Sequence, residues 1–231
     1  QLSELLDQMN RIVARAPIGG LIVEPIQGRG GVRVPPTGFL TALRQFCDQH
    51  EILLILDEIF TGFGRTGYCF ATEHEAVTPD LLCVGKALGG GMPLSACIGG
   101  PTSLGQWPTA TGEALHTSTF LGHPVCCAAA IAAISEMQRL NLPERALMLG
   151  AHITNRFENA PVVDIRGRGL MIGLELESGE RAQAVVHKAL QRGVILLPSG
   201  PKGEVLSLTP PLVIETELLD KALDVILECL N

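Results

Sequence analysis

Aromatic side chains are scarce in this chain. One Trp, one Tyr and seven Phe are spread through 231 residues. So few flat rings leave little for nucleic-acid bases to stack on. An excess of positive charge is also missing, since 17 Lys and Arg stand against 24 Asp and Glu for a net charge of −7. That balance argues against nucleic acid or an anionic membrane as a partner. No apolar run approaches the ~20 residues of a membrane-spanning helix, and no stretch reads as a signal peptide. The seven cysteines (Cys47, Cys69, Cys83, Cys97, Cys126, Cys127 and Cys229) are odd in number and contain no C-x-x-C. Most lie inside apolar runs, so they read as reduced, buried thiols of a cytoplasmic protein rather than as a disulfide framework. No cluster of His and Cys has metal-ligand spacing, so no metal is expected. Internal repeats and low-complexity tracts are absent from the sequence.

What is present suits a well-packed core. Hydrophobic residues make up 46% and charged residues 18% of the chain, ordinary for a globular protein. The length allows one large domain or two modest ones. The sequence begins at Gln1 without an initiator Met, and its first segment is already a helix flank. It reads as a piece of a longer chain.

The stretch from Ile52 to Lys86 organises the rest. Ile52-Leu53-Leu54-Ile55-Leu56 is a buried-strand pattern that ends on Asp57-Glu58. After a glycine-punctuated loop, Leu81-Leu82-Cys83-Val84 forms a second apolar run that ends on Gly85-Lys86. In open α/β sheets ligands bind beyond the carboxyl ends of the strands, so Asp57 and Lys86 are expected side by side. A lysine there can hold a phosphate, act as a base or form a Schiff base. A buried aspartate can hold a metal, orient a histidine or pair with a protonated nitrogen. A Schiff-base lysine together with an aspartate on a pyridinium nitrogen is what pyridoxal phosphate demands of a protein.

The other elements follow in order. Helical spacing runs over Leu2–Ala14. Leu21-Ile22-Val23 is a short strand that ends on Glu24-Pro25, a third strand tip with a polar group. Thr37 is placed to cap a helix over Gly38–His50, and the strand–helix–strand order predicts a parallel crossover. A short helix over Phe70–Glu75 and an antiparallel strand over Leu94–Gly99 come next. A long Ala-rich helix covers Pro124–Leu140, and the domain boundary is set after Asn141. The remainder is read as a smaller α+β unit. It has helices over Glu144–Phe157, Arg181–Gln191 and Thr216–Leu230. Its strands lie over Val162–Ile165, Leu170–Leu176, Val194–Leu197 and Val205–Leu208. The expected domains are 1–141 and 142–231.

Several motifs have a dull reading beside the chemical one. Gly62-Phe63-Gly64-Arg65-Thr66-Gly67 spells G-x-G-x-x-G, but no helix follows directly and no acidic residue closes a second strand, so a dinucleotide site does not fit. The residues read instead as a loop needing several positive φ angles. Lys86 lacks the P-loop pattern around it; its alternative is a solvated surface lysine. Asp57 could cap a turn, and Glu24 could be a plain surface carboxylate. His116-Thr117-Ser118-Thr119 places hydroxyls ahead of a helix, which suits a phosphate or ordinary capping.

Taken together, these residues resemble the class III pyridoxal-phosphate aminotransferases, the fold type I ω-aminotransferases. The matching segments are Glu24–Gly28, Leu54–Ile59, Thr61–Gly67, Gly85–Leu94, Ser118–Phe120, Arg166–Gly173 and Thr209–Leu212. The resemblance implies an α/β fold: part of the fold type I large domain, with a mostly parallel sheet and helices on both faces, plus a smaller α+β C-terminal domain. It implies pyridoxal 5'-phosphate as cofactor, Lys86 as the Schiff-base lysine and proton carrier, and Asp57 on the pyridine nitrogen. Ile59 would pack on the ring face. Ser118 and Thr119 would reach the phosphate of a neighbouring subunit's cofactor, hence a homodimer with shared active sites. The implied reaction moves an amino group from an ω-amino acid, diamine or amine to a 2-oxo acid. Burial and the cofactor's charge should favour the free amine of Lys86.

The chain departs from the family pattern at three points. Phe60 stands where a Gln is common. Ser207 stands where many members carry an arginine that pairs with the Glu24 equivalent or takes a substrate carboxylate; Arg168 or Lys202 are the candidate substitutes. The upstream segment carrying part of the phosphate cradle is not in this sequence. An aminomutase or racemase of the same fold, or a piece without activity that serves as a binding partner, are the alternatives.

Overall fold

The computed structural model describes residues 2–106, 108, 111–112 and 116–231. They fall into two compact units. The first comprises Gln1–Pro25, Pro36–Phe60 and Thr72–Ser135; the second comprises Ile26–Pro35, Thr61–Ala71 and Glu136–Asn231. The chain is α/β with a mixed sheet, as the resemblance implied. No helix among the described residues is long and apolar enough to cross a membrane.

The first unit is built on a four-stranded sheet in the order β1-β2-β3-β4. Helix α1 (Leu2–Val13) leads into β1 (Gly20–Val23), α2 (Phe39–His50) and β2 (Leu53–Asp57). A 3₁₀ turn (Ala71–Glu75) precedes β3 (Leu81–Val84), and a second (Lys86–Gly89) follows it; then come β4 (Ala96–Gly99), α3 (Pro101–Leu104) and α4 (Pro124–Arg139). Strands β1, β2 and β3 are parallel, and β4 runs antiparallel to β3. Alternation along β2 sorts its two faces. Leu54 and Leu56 are fully buried against Leu40, Leu43, Phe46 and Cys47 of α2, and Leu6, Met9 and Val13 of α1 pack on the same cluster. Each such side chain contributes about 1.5–3 kcal/mol by leaving water. Asp57 is on the other face, with Ile55.

Thr37 does not cap α2. The N-cap is Gly38 in the left-handed region, with no side-chain cap of its own. The carboxylate of Glu75 takes that role from 37 positions away, accepting from the Gly38 N–H at 3.2 Å and the Thr41 N–H at 3.0 Å. The cap is thus supplied through the fold, where a local motif was expected.

The second unit carries an antiparallel sheet in the order β5-β6-β8-β7. Its elements are α5 (Leu142–Phe157), β5 (Asp164–Arg168), β6 (Met171–Glu175), α6 (Gly179–Gln191), β7 (Leu197–Ser199), β8 (Val205–Leu208) and α7 (Thr216–Leu230). Ile153 and Phe157 of α5, Leu174 and Leu206 of the sheet, Val185 of α6 and Ile226 of α7 meet in one buried cluster. Two expectations shift here. Arg166-Gly167-Arg168 is strand rather than the break between strands, and β7 begins at Leu197 rather than Val194.

Two arginines explain why early loops count with this unit. Arg166 donates to the Gly31 carbonyl through Nε at 3.0 Å and Nη2 at 2.8 Å, while pairing with Asp164 and Glu175. Arg65 donates to the carbonyls of Leu170 at 2.9 Å and Pro210 at 2.6 Å. The Gly169 Cα lies under the Arg65–Thr66 backbone, where an added Cβ would stand 2.7 Å from the Arg65 carbonyl oxygen. With φ at +55°, this position suits glycine on both counts. The loop over 61–67 does use positive φ, at Phe63, Gly64 and Gly67.

Candidate functional site

Parallel pairing of β1, β2 and β3 brings three chemical groups to one end of the sheet. Asp57 is the last residue of β2 and lies level with Cys83 of β3. Glu24 follows Val23, whose partner is Leu56, so it leaves β1 at the level of Asp57. Lys86 leaves β3 through Gly85 and opens the 3₁₀ turn.

The residues between these tips set the local geometry. One carboxylate oxygen of Asp57 accepts the Ile59 N–H at 3.0 Å. The bond fixes the carboxylate and leaves its second oxygen without a hydrogen bond among the described residues. The Ile59 side chain lies against Gly85, with Cγ2 3.4 Å from where a Cβ would stand. The Lys86 ammonium rests over the Phe60 ring, 4.9 Å from its centroid. That contact is a cation–π interaction of about 0.5–1 kcal/mol at an exposed site. The backbone of Lys86 is itself unusual, with φ at +42°. A non-glycine residue held there stores of order 1 kcal/mol of strain, and such positions concentrate at ligand sites.

The expected site residues lie in varied surroundings. Lys86 is exposed rather than buried, because the chain turns out of the sheet at Gly85. Ser118 and Thr119 are exposed in a turn ahead of α4, where the Ser118 carbonyl accepts the Leu121 N–H at 3.1 Å. Arg168 closes β5 opposite Met171 and is half-buried in the second unit. Lys202 is exposed, and its N–H donates to Glu204 at 2.8 Å. Ser207 shares a hydrogen bond with Ser199 at 2.6 Å, so a pair of small hydroxyls fills the position where an arginine was considered.

Other features were not legible from the motifs. Glu58 is fully buried, taking the Thr72 N–H at 2.7 Å and giving its own N–H to the Cys83 carbonyl at 2.9 Å. Its position after Asp57 hides that role, because the two carboxylates look alike in sequence. The thiols are also less uniform than expected: Cys47, Cys126 and Cys229 are buried, whereas Cys97 is exposed. Among the described residues no group of three or more His, Cys, Asp or Glu side chains could hold a metal ion.

Asp57 and Lys86 thus leave neighbouring parallel strands at the same end of the sheet, with Ile59 against Gly85. The aminotransferase class-III family matches residues 1–230, and the chain belongs to it. It is 45% identical over 206 residues to an acetylornithine aminotransferase of Methanopyrus kandleri, covering 88% of this chain and 51% of that protein. It is 37% identical to ornithine aminotransferase 1 of Staphylococcus saprophyticus, covering 98% and 56%. It is 39% identical to a putrescine aminotransferase of Pectobacterium atrosepticum, covering 90% and 47%. Among solved structures, a transaminase from the marine bacterium Virgibacillus superposes with a TM-score of 0.91 at 27% identity, over 100% of this chain and 57% of that one. The ornithine aminotransferase of Toxoplasma gondii gives a TM-score of 0.89 at 34% identity, over 97% and 54%. The chain spans about half the length of the curated relatives it matches.

Proposed function

We propose that the protein is a pyridoxal 5'-phosphate-dependent ω-aminotransferase, and that this chain contributes the lysine and the aspartate of its cofactor site. The observation that carries this reading is Asp57 and Lys86 at the carboxyl ends of adjacent parallel strands, in a chain of this family. The donor set suits the group: Asp57 has one oxygen held by Ile59 and the other available, and Lys86 presents an exposed amine. The matched relatives named for acetylornithine, ornithine, putrescine and 4-aminobutyrate support an amine donor whose reacting nitrogen sits at a chain end, with a 2-oxo acid as acceptor.

When bound, pyridoxal phosphate supplies an electron sink for the charge left on the substrate carbon as its proton departs. Lys86 is the residue that would hold its aldehyde carbon. Lys86 Nζ, when not holding the cofactor, would accept the proton from the substrate carbon as general base and give it up again as general acid. Asp57 would keep a proton on the ring nitrogen, its carboxylate steadied by the Ile59 N–H. Ile59 would pack on the ring, and Glu24 would face the substrate side. Ser118 and Thr119, exposed ahead of α4, would serve the phosphate at a neighbouring subunit's site in a homodimer. The seven free cysteines are consistent with a cytoplasmic setting.

Borohydride reduction after addition of pyridoxal phosphate tests the assignment. The expected result is a pyridoxyl mass on the peptide containing Lys86 and its absence in Lys86→Ala. A label spread over surface lysines, with Lys86 no more modified than Lys202, would overturn the reading.

A further inference from the structure

The antiparallel half of the first unit's sheet sets two thiols against each other. Cys83 in β3 and Cys97 in β4 are register partners. Side chains of directly opposite residues project from the same face of a sheet. The carbonyl of Cys83 accepts the Glu58 N–H on the β2 side at 2.9 Å. In a strand the N–H and C=O of one residue point the same way, so Cys83 turns its backbone groups away from β4. Cys83 and Cys97 therefore form a non-hydrogen-bonded pair, the kind whose Cα atoms approach to ~4.5 Å. That spacing falls within the ~4.4–6.8 Å a disulfide accepts. Both thiols are free, Cys97 is exposed and Cys83 is half-buried. The segment they bracket, from Val84 to Ala96, is the one that carries Lys86 and Gly89-Gly90-Gly91.

We propose that Cys83 and Cys97 form a reversible cross-strand disulfide, a redox staple at the base of the loop that bears Lys86. The oxidant is a low-molecular-weight disulfide. The Cys97 thiolate attacks one of its sulfurs, forming a mixed disulfide and expelling one thiolate. The Cys83 thiolate then attacks the Cys97 sulfur, closing the protein bridge and expelling the second. Two protein thiols are oxidised, one small disulfide is reduced to two thiols, and the two protein protons end on those products. Exposure makes Cys97 the first attacker. Burial, the neighbouring Cys97 and the Asp57 charge push the Cys83 thiol up, which suits the slower, resolving role.

The bearing of this staple on a cofactor rests on the proposed role of Lys86, whereas the bridge itself does not, so the two are measured apart. The reduced full chain is incubated with glutathione disulfide, its remaining thiols are alkylated, and the digest is mapped by mass spectrometry. The expected product joins the Cys83 and Cys97 peptides and is undone by dithiothreitol. In Cys83→Ser, glutathione should stay attached to Cys97; in Cys97→Ser, no bridge should form. Alkylation of both Cys83 and Cys97 as free thiols after oxidation of the folded chain would overturn the proposal. So would pairing of either with other cysteines as readily as with each other. Should the serine variants fail to fold, the wild-type peptide map decides alone. Pyridoxyl labelling of Lys86 is read on the reduced chain, so its failure alongside a formed bridge would sink the cofactor reading and leave the staple standing.

Discussion

Asp80 shows how one carboxylate can join three elements. It precedes β3, accepts from Arg44 of α2 at 2.7 Å, and accepts the Leu54 N–H of β2 at 2.7 Å. Burial by itself would raise its pKa; the hydrogen bonds from Arg44 and Leu54 and the guanidinium charge outweigh that and hold the carboxyl below its ordinary value. A carboxyl depressed on folding adds stability that is present above the unfolded pKa, near ~3.9, and is lost as pH falls through the lower folded one. Asp80→Asn should therefore lower stability near neutral pH by about 1–2 kcal/mol, a range reduced for the partial exposure of the pair. The gap between wild type and variant should close as pH falls from about 5 to about 2. Urea unfolding at several pH values measures it, and a gap that stays constant over that range would show that the charge is not the cause.

Arg65 is the contrasting residue. Burial lowers its guanidinium to about 10, and its hydrogen bonds run to carbonyls of Leu170 and Pro210. In sequence it looked like one letter of a glycine loop. In the structure it is the donor that ties that loop to the β5–β6 turn of the second unit.

At the scale of elements, the α2 cap separates local from long-range causes. Glu75→Ala leaves the Gly38 and Thr41 N–H groups without their acceptor and should cost about 1–2 kcal/mol. Thr37→Ala should change stability by no more than about 0.5 kcal/mol. Thermal melts of the two variants decide it, and equal losses would return the cap to Thr37. Elements with a strong period were legible from sequence: α7 runs Thr216–Leu230 and β8 runs Val205–Leu208, as their apolar spacing predicts. The misses have physical causes. Strand β7 contains Pro198, which reads as a break, yet it lies at the sheet edge where a missing N–H is tolerated. Strand β5 is polar because Arg166 aims at Asp164 and Glu175, so it showed no apolar alternation. The Asp57–Lys86 neighbourhood was legible because parallel strands align their carboxyl ends. The Cys83–Cys97 opposition was not, since it depends on a register that no single strand encodes.

For the whole molecule, the family was readable from the glycine-rich segments and the residues they flank, because those motifs mark close approaches within the chain, such as Gly169 under the Arg65–Thr66 backbone and Gly85 against Ile59. The composition of the two units was not, since loops 26–35 and 61–71 count with the second unit through contacts made by Arg166 and Arg65. The proposed homodimer belongs to this scale as well. Near the start of α4, Cys126 and Ala130 are buried while Val125 and Ile131 are 57% and 68% exposed, and Phe120 just before it is 73% exposed. Scattered single apolar residues on a surface need no explanation, but four large ones within one short segment, Leu121 being 63% exposed as well, suit a covered face. Ile131→Lys should halve the mass seen by sedimentation equilibrium at micromolar concentration. It should leave the circular dichroism of the chain unchanged, because a lysine on an exposed helix position folds as well as isoleucine there. A wild-type chain that sediments as a monomer, or an Ile131→Lys chain that still sediments at twice the chain mass, would remove this face of α4 from the assembly.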